Sequence, residues 1–451
     1  MFENNKIFIL GFARSGYEAA KYLIKRNNEV LINDGKEESF HDKNKIDELK
    51  QLGVKFVFGS HPDDLLDSSF DYLIKNPGVP IHHKYVEKAK KINVEVINEV
   101  EMAYRLMPKD VTLIGITGTN GKTTTTTIIY EILKEANLSV HLAGNIGYPL
   151  CSFLNKLKKD DIIVMETSCQ QLNDLYDFKP NIAVMTNLSE AHLDFFDNDY
   201  KKYKDVKTKI FKNQTNKDIA ILNLENKDVI FQTKNINSNK LYFSSSNISD
   251  CYLKDNFIYY KDEKIIDVNK MILVGVHNIQ NVMAAVLACK QFKVSNEVIR
   301  KVVYNFKGVA HRLEFCGNVN GIKYYNDTEA TNIKCTQIAL NSFNEPIILI
   351  LGGLERGQDF NELTPFMKNV KSVIAIGECR NRVKEYADKL NIPVYVNEYL
   401  KDGFNDINKI ANNGDVVLLS PASASWDQYK ECEERGDEFK EFVSNLLSKN
   451  V

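Results

Sequence analysis

At 451 residues the chain has room for about three domains of roughly 150 residues, each able to bury its own core. Its 58 Lys+Arg against 60 Asp+Glu leave a net charge of −2, which calls for no nucleic-acid or acidic-membrane partner and leaves room for local anion sites. The eight cysteines are dispersed, with no C-x-x-C pair and no secretory leader before them, and no apolar run reaches the roughly 18–20 residues of a bilayer span, so a cytoplasmic protein with reduced thiols and no membrane span is expected.

The first block, residues 1–100, opens with KIFILGFARSGYEAAKYLIKR, an apolar strand, a glycine turn and a helix, followed by the strand EVLIND. Gly11 to Gly16 form a G-x-A-x-x-G relative of the dinucleotide fingerprint, with Asp34 closing the next strand where a ribose-binding acid would stand. A tight strand-to-helix turn of any α/β domain explains the same residues. VKFVFG and DYLIKNPGVP add strands to this Rossmann-like block.

The second block, residues 101–307, repeats the strand-turn-helix start in VTLIGITGTNGKTTTTTIIYEILKEA and continues through DIIVMETSCQQL and NIAVMTNLSEAHLDFF. Each apolar strand ends in polar residues, and ligands of open α/β sheets gather at those ends. This predicts a mostly parallel sheet of the P-loop ATPase type. From Lys212 to Asp267 the chain is rich in Asn and Lys with short aromatic alternations, read as strands and hairpins, and a helix starts at His277. The third block, residues 308–451, shows EPIILILGGLERGQDF, SVIAIGE and DVVLLSPASASWDQY, again buried strands with polar ends and a second Rossmann-like unit. The fold class expected is therefore α/β with three domains.

The phosphate loop carries the strongest chemical signal. Gly118, Thr119, Asn120, Gly121, Lys122 and Thr123 form G-x-x-G-K-T, shorter than the usual G-x-x-x-x-G-K-[ST]. Glycine-turn amides and a helix N-terminus cradle phosphate, Lys122 offsets its charge, and the Thr123 hydroxyl can hold Mg²⁺. Five consecutive threonines, Thr123 to Thr127, are poor helix formers, and phosphate at the N-terminus offsets this. Glu166 at a strand end suits a metal, or a cap or ion pair; His192 reads as structural or as a ligand. Lys207, in YKDVKTKIF, lies by itself in an amphipathic solvated helix.

TGTNGKT, GNIGYP, METSCQQ, NLSEAHLD, GVHNIQN, HRLE, NDTEATN, LGGLERGQDF and LSPASASWDQY, in this order over nearly the whole chain, resemble the Mur ligases. The resemblance implies an ATP-dependent amide-bond-forming ligase of peptidoglycan synthesis, joining D-glutamate to UDP-N-acetylmuramoyl-L-alanine through an acyl phosphate. A related ligase with another incoming amino acid is the alternative. It implies ATP and two Mg²⁺ sites as cofactors, small-molecule substrates as partners and a monomer.

Residue by residue, the resemblance implies Lys122, Glu166, His192 and Lys207 as catalytic, and Thr123, Glu166, His192 and a CO₂-carbamylated Lys207 as metal ligands, with Lys209 as a nearby decoy. For ATP it implies Gly118 to Thr124 with Asn278, Asn281, Arg312 and Asp327. For the nucleotide substrate it implies Arg14, Ser15 and Asp34 near uracil, Asn76 to Gly78 near the diphosphate, and Asn145, Ser168 and Gln171 at the muramoyl-alanine end. Thr331, Arg356 and Ser425 are implied for the carboxylates of D-glutamate. Glu329 departs from the family, where lysine is usual, and Ser423 and Cys432 replace a cysteine and, in some relatives, an aromatic residue.

A nicotinamide oxidoreductase built on GFARSG would need no G-K-T loop. A nucleotide-gated binding module would keep the loop but need no Glu166, His192 or Lys207.

Overall fold

Short apolar runs bounded by glycine and polar turns become the strands of three sheets. The structure, a computed structural model, describes residues 1–449. The first sheet holds β1 (Lys6–Leu10), β2 (Glu29–Asp34), β3 (Lys55–Phe58), β4 (Tyr72–Lys75) and β5 (Glu95–Ile97) in the order β3-β2-β1-β4-β5. All its pairings are parallel. The order reverses beside β1, so the crevice beyond its carboxyl end lies at a topological switch point. A Cβ on Gly16 would stand 2.3 Å from the Gly11 carbonyl oxygen, which is why only glycine lets the helix Arg14–Ile24 start so close to the turn.

The second sheet contains β6 (Thr112–Thr117), β7 (Val140–Gly144), β8 (Ile162–Glu166), β9 (Ile182–Met185), β10 (Ile219–Asn223), β11 (Asn239–Ser244), β12 (Cys251–Lys254), β13 (Phe257–Tyr260) and β14 (Glu263–Asp267). Their order is β14-β13-β12-β11-β10-β9-β6-β8-β7, and pairing is parallel from β7 across to β12. The expected hairpins of the Asn- and Lys-rich stretch are realised between β12 and β13, which pair antiparallel. β10 and β11 instead run parallel, joined through the short helix Lys227–Gln232. β6 is flanked by β8 and β9, a second switch point.

These two sheets belong to one compact unit, 1–266 with 280–302. The other unit, 267–279 and 303 onward, carries β15 (Glu314–Val319), β16 (Ile322–Asn326), β17 (Ile347–Gly352), β18 (Val370–Ile376), β19 (Val394–Val396) and β20 (Val416–Leu419). The order is β15-β16-β20-β17-β18-β19, with β15 the antiparallel edge. β17 and β20 are buried along their whole length, which explains their unbroken apolar sequence. Among the described residues no helix is long and apolar enough to cross a membrane.

Candidate active site

The loop after β6 passes directly into the helix Lys122–Glu135. Gly121 caps that helix at φ +79°, and a Cβ there would lie 2.2 Å from Asn281 Oδ1. Both facts demand glycine. Asn281 thus packs against the loop, and Thr125 Oγ1 donates to its Oδ1 at 3.3 Å. Lys122 Nζ folds back to donate to the Thr119 carbonyl at 2.8 Å, the Asn120 amide donates to Asn187 Oδ1 at 2.9 Å, and Thr119 and Tyr203 share a hydroxyl contact at 2.9 Å. The threonine run has mixed uses. Thr123 and Thr124 stand half-buried in the first turn, Thr125 and Thr126 are buried, and Thr127 donates to the Thr123 carbonyl at 2.8 Å.

Glu166 ends β8, where strand register sets it beside Ile116 of β6 and Gly144 of β7. Its carboxylate is buried and held from both sides: Thr123 Oγ1 donates to Oε2 at 2.7 Å and Asn145 Nδ2 to Oε1 at 2.8 Å. His192 takes the left-handed conformation, φ 51° and ψ 33°, at the start of the short helix Leu193–Phe196. Burial, then the charges of Lys122 and Lys207, hold its imidazole below the ordinary range, so the ring is neutral at neutral pH.

Lys207 corrects the reading of its helix as solvated. In Tyr200–Thr208 it is 1% exposed, because that face packs on the phosphate loop instead of facing water. Its Nζ donates to the Gly118 carbonyl at 2.8 Å and approaches Thr117 Oγ1 at 3.4 Å. Burial first, and Lys122 second, bring its ammonium down to about 7. Lys209 points elsewhere, donating to the Asn173 carbonyl at 2.6 Å. Ser168 and Gln171 form a reciprocal capping box on the helix Cys169–Asn173, so both side chains serve the helix end.

At the carboxyl ends of the first sheet, Asn76 Nδ2 donates to Ser15 Oγ at 3.1 Å and the Gly78 amide to Asn76 Oδ1 at 3.2 Å. Asp34 accepts from the Phe12 amide at 2.7 Å and the Lys36 amide at 2.9 Å, locking β2's end to the glycine turn. Arg14 is exposed on that turn.

In the other unit a cavity of about 470 Å³ brings together Thr331, Lys334, Arg356, Gln358 and Ser423. The Arg356 guanidinium lies 4.7 Å from the Trp426 ring centre. Ser425 is buried and does not line this cavity. Arg312 is drawn to Glu329 at 3.3 Å. Asp327 is buried and accepts from the Leu313 amide at 3.1 Å and from Ser420 Oγ at 2.8 Å, and burial raises its carboxyl to about 7. Asn278 donates to the Val274 carbonyl at 2.8 Å.

Residues 5–98 match the Mur ligase MurD-like N-terminal domain, 116–289 the Mur ligase middle domain and 311–423 the Mur ligase glutamate ligase domain. A UDP-N-acetylmuramoylalanine–D-glutamate ligase of Enterococcus hirae is 42% identical over 451 residues, covering 98% of this chain and 97% of the relative. The chain belongs to the Mur ligase family. Another such ligase, from Lactococcus lactis subsp. lactis, is 42% identical over 447 residues, covering 99% of this Mur ligase and 98% of the relative. Solved Mur ligases share its fold. The MurF ligase of Thermotoga maritima in complex with ADP superposes with a TM-score of 0.61 at 18% identity, covering 99% of each chain. The UDP-N-acetylmuramate-alanine ligase MurC of the same organism gives 0.59 at 16%, covering 99% of this chain and 100% of that one.

Three groups of this Mur ligase escape sequence reading. Arg435, in a strongly charged helix start, is 1% exposed. Its guanidinium donates to Thr328 Oγ1 at 2.9 Å, to the Thr328 and Ser423 carbonyls at 3.1 Å each and, at 3.5 Å, to the Gly352 carbonyl, tying three cavity loops together. Tyr203 holds Thr119, and Lys75 with Asp174 forms a buried ion pair. The signal for Arg435 is its position three residues past the SPASASWDQYKEC segment. For the others no local signal exists.

Proposed function

We propose that this chain joins D-glutamate to UDP-N-acetylmuramoyl-L-alanine with ATP, in the cytoplasmic stage of peptidoglycan synthesis. The observation that carries the reading is the convergence on Glu166: the phosphate-loop hydroxyl of Thr123 and the amide of Asn145 meet on one buried carboxylate. The full-length likeness to ligases named for this reaction supports the substrate pair.

In this reading the amides of Gly118 to Thr124 and the Lys122 ammonium hold the polyphosphate, at a helix N-terminus that favours anions. Asn281 braces the loop, and Arg312, Asp327 and Asn278 complete the proposed ATP set. The donor set suits Mg²⁺: a buried carboxylate beside a hydroxyl, a neutral imidazole at His192 and a lysine whose depressed ammonium leaves amine free to add CO₂ as an anionic carbamate. Thr123, Glu166, His192 and carbamylated Lys207 would hold two ions, which when bound offset the repulsion between the substrate carboxylate and ATP.

The alanyl carboxylate attacks the γ-phosphorus, the bond to the bridging oxygen breaks and ADP leaves. The D-glutamate amine then attacks the acyl carbon, loses a proton and expels phosphate. Asn145 orients the acceptor, beside the helix end that Ser168 and Gln171 hold by capping; Arg14, Ser15, Asp34, Asn76 and Gly78 hold its nucleotide; Thr331 and Arg356, which line one cavity, take the carboxylates of the amino acid, Arg356 in bidentate fashion. No side chain acts as nucleophile.

An assay for ADP release, run with each substrate omitted in turn, tests the reading. Release should require all three substrates; release independent of nucleotide and amino acid would count against a ligase. The Arg312–Glu329 contact, with Cys432 and Glu433 near Glu329, favours testing a second reading in which another amino acid enters. A panel of amino acids decides between the two.

A further inference from the structure

Lys75 is fully buried at the end of β4, and its Nζ lies 3.0 Å from Asp174 Oδ2. The angle falls outside hydrogen-bond geometry, so the contact is an ion pair. The same ammonium donates to the Val79 carbonyl at 2.9 Å and stands 5.7 Å from the centre of the Phe195 ring. It therefore touches three segments at once: the turn 76–79 after β4, the residue capping the end of Cys169–Asn173, and the short helix that begins just after His192. Asp174 is fixed from its own side, since Asn173 Nδ2 donates to its Oδ1 at 2.8 Å and its amide to the Gln171 carbonyl at 3.3 Å. Asn98 Nδ2 adds a second tie between these parts of the unit, donating to the Gln171 carbonyl at 2.6 Å.

A buried ion pair is a costly way to stabilise a fold, because desolvation consumes most of its attraction, whereas its geometry specifies how two surfaces register. We infer that Lys75 and Asp174 are positioning residues that set the spacing between the diphosphate-facing turn 76–79 and the Ser168–Gln171 end of the acceptor site. This inference rests on the proposed reading of those two segments as facing the nucleotide sugar. A shift between them would spoil simultaneous engagement of the two ends of one long substrate and leave the phosphate loop unaffected.

Lys75→Met and Asp174→Asn, made in the full chain, test it through KM for UDP-N-acetylmuramoyl-L-alanine, KM for ATP, kcat and Tm. The expected result is a nucleotide-sugar KM raised about tenfold, with ATP KM within about twofold and kcat nearly kept, the split that lost ground-state binding produces. Lys75→Arg, which keeps the charge but changes its reach, should show a smaller version of the same split, and calorimetry should show the same loss in direct binding of the nucleotide sugar. Unchanged nucleotide-sugar KM in all variants overturns the inference, as does a uniform fall in every parameter that simply follows a lower Tm. Should Lys75→Met not fold, absence of the split in Lys75→Arg overturns it equally. Failure of the functional reading looks different, since wild-type protein would then release ADP without needing the nucleotide sugar.

Discussion

The buried Lys207 ammonium donates to the carbonyl of Gly118, the first glycine of the phosphate loop, at 2.8 Å. The lysine and the loop form one unit, and Lys209 has no part in it. Lys207→Ala should lower kcat at least about a hundredfold, the scale of losing a preorganised electrostatic group at a phosphate site. Short carboxylic acids should restore part of that activity by supplying the anion that a carbamate would provide. Lys209→Ala should stay within about threefold of wild type. Steady-state ADP release measures all three, and full activity of Lys207→Ala without added acid would remove the carbamate from the proposal.

Gly121 combines a left-handed backbone with contact against Asn281. Gly121→Ala should cost about 1–2 kcal/mol in backbone strain alone. The displaced Asn281 side chain should raise KM for ATP by about tenfold or more, while binding of the nucleotide sugar alone is unchanged. Calorimetric titration with each ligand separates the two effects.

Among the described residues Arg435 has no carboxylate as a hydrogen-bond partner; it is satisfied by carbonyls and a hydroxyl, and burial lowers its guanidinium to about 10. Arg435→Met removes these donors and leaves buried carbonyls unpaired, each costing about 1–3 kcal/mol. The expected outcome is a loss of about 3 kcal/mol or more in unfolding free energy and a raised KM for the amino acid. Chemical denaturation and kinetics on one preparation check both.

Glu99 is buried, accepts from the Cys151 amide at 2.6 Å, and burial raises its carboxyl from 4.5 to about 7; Glu18 also raises it and Arg14 opposes. A folded-state value above the unfolded one means the folded protein binds the extra proton. Its stabilising share is therefore complete below about pH 4.5 and is lost as pH rises through 7, with an upper scale of about 3 kcal/mol. Glu99→Gln should flatten this fall. Urea unfolding of both proteins at pH 5, 6, 7 and 8 tests it, and parallel curves would remove Glu99 from the account.

Much of this was legible in sequence because the site-building turns carry their own punctuation. GFARSG and TGTNGKT each announce a strand, a tight turn and a helix, and their glycines are required by close approaches visible in the structure. Glu166 was legible as a polar end to an apolar strand. Lys207 was legible only through the family resemblance, since residues 200–209 hold five lysines in ten and give no local sign of which one faces inward. Arg435 sits among EERGDE and reads as surface. Lys75 closes an apolar strand, and its partner stands ninety-nine residues away. Burial of a charge is decided by which segments the topology brings together, and no window along the chain contains that information. Ser168 and Gln171 show the opposite: a readable local pattern, S-x-x-Q, whose structure uses both side chains for capping.

The strand order β7-β8-β6 places Glu166 between two donors separated from it by 43 and 21 positions in the chain. With each carboxylate oxygen already taken, the side chain retains little rotational freedom before any ligand arrives. Ordering of that group is thus completed during folding, and in the proposed reading ligand association is relieved of that entropic penalty. Loosening either donor, as in Asn145→Ala, would move the penalty back to the binding step, where it would appear as weaker affinity in a protein whose fold is scarcely altered.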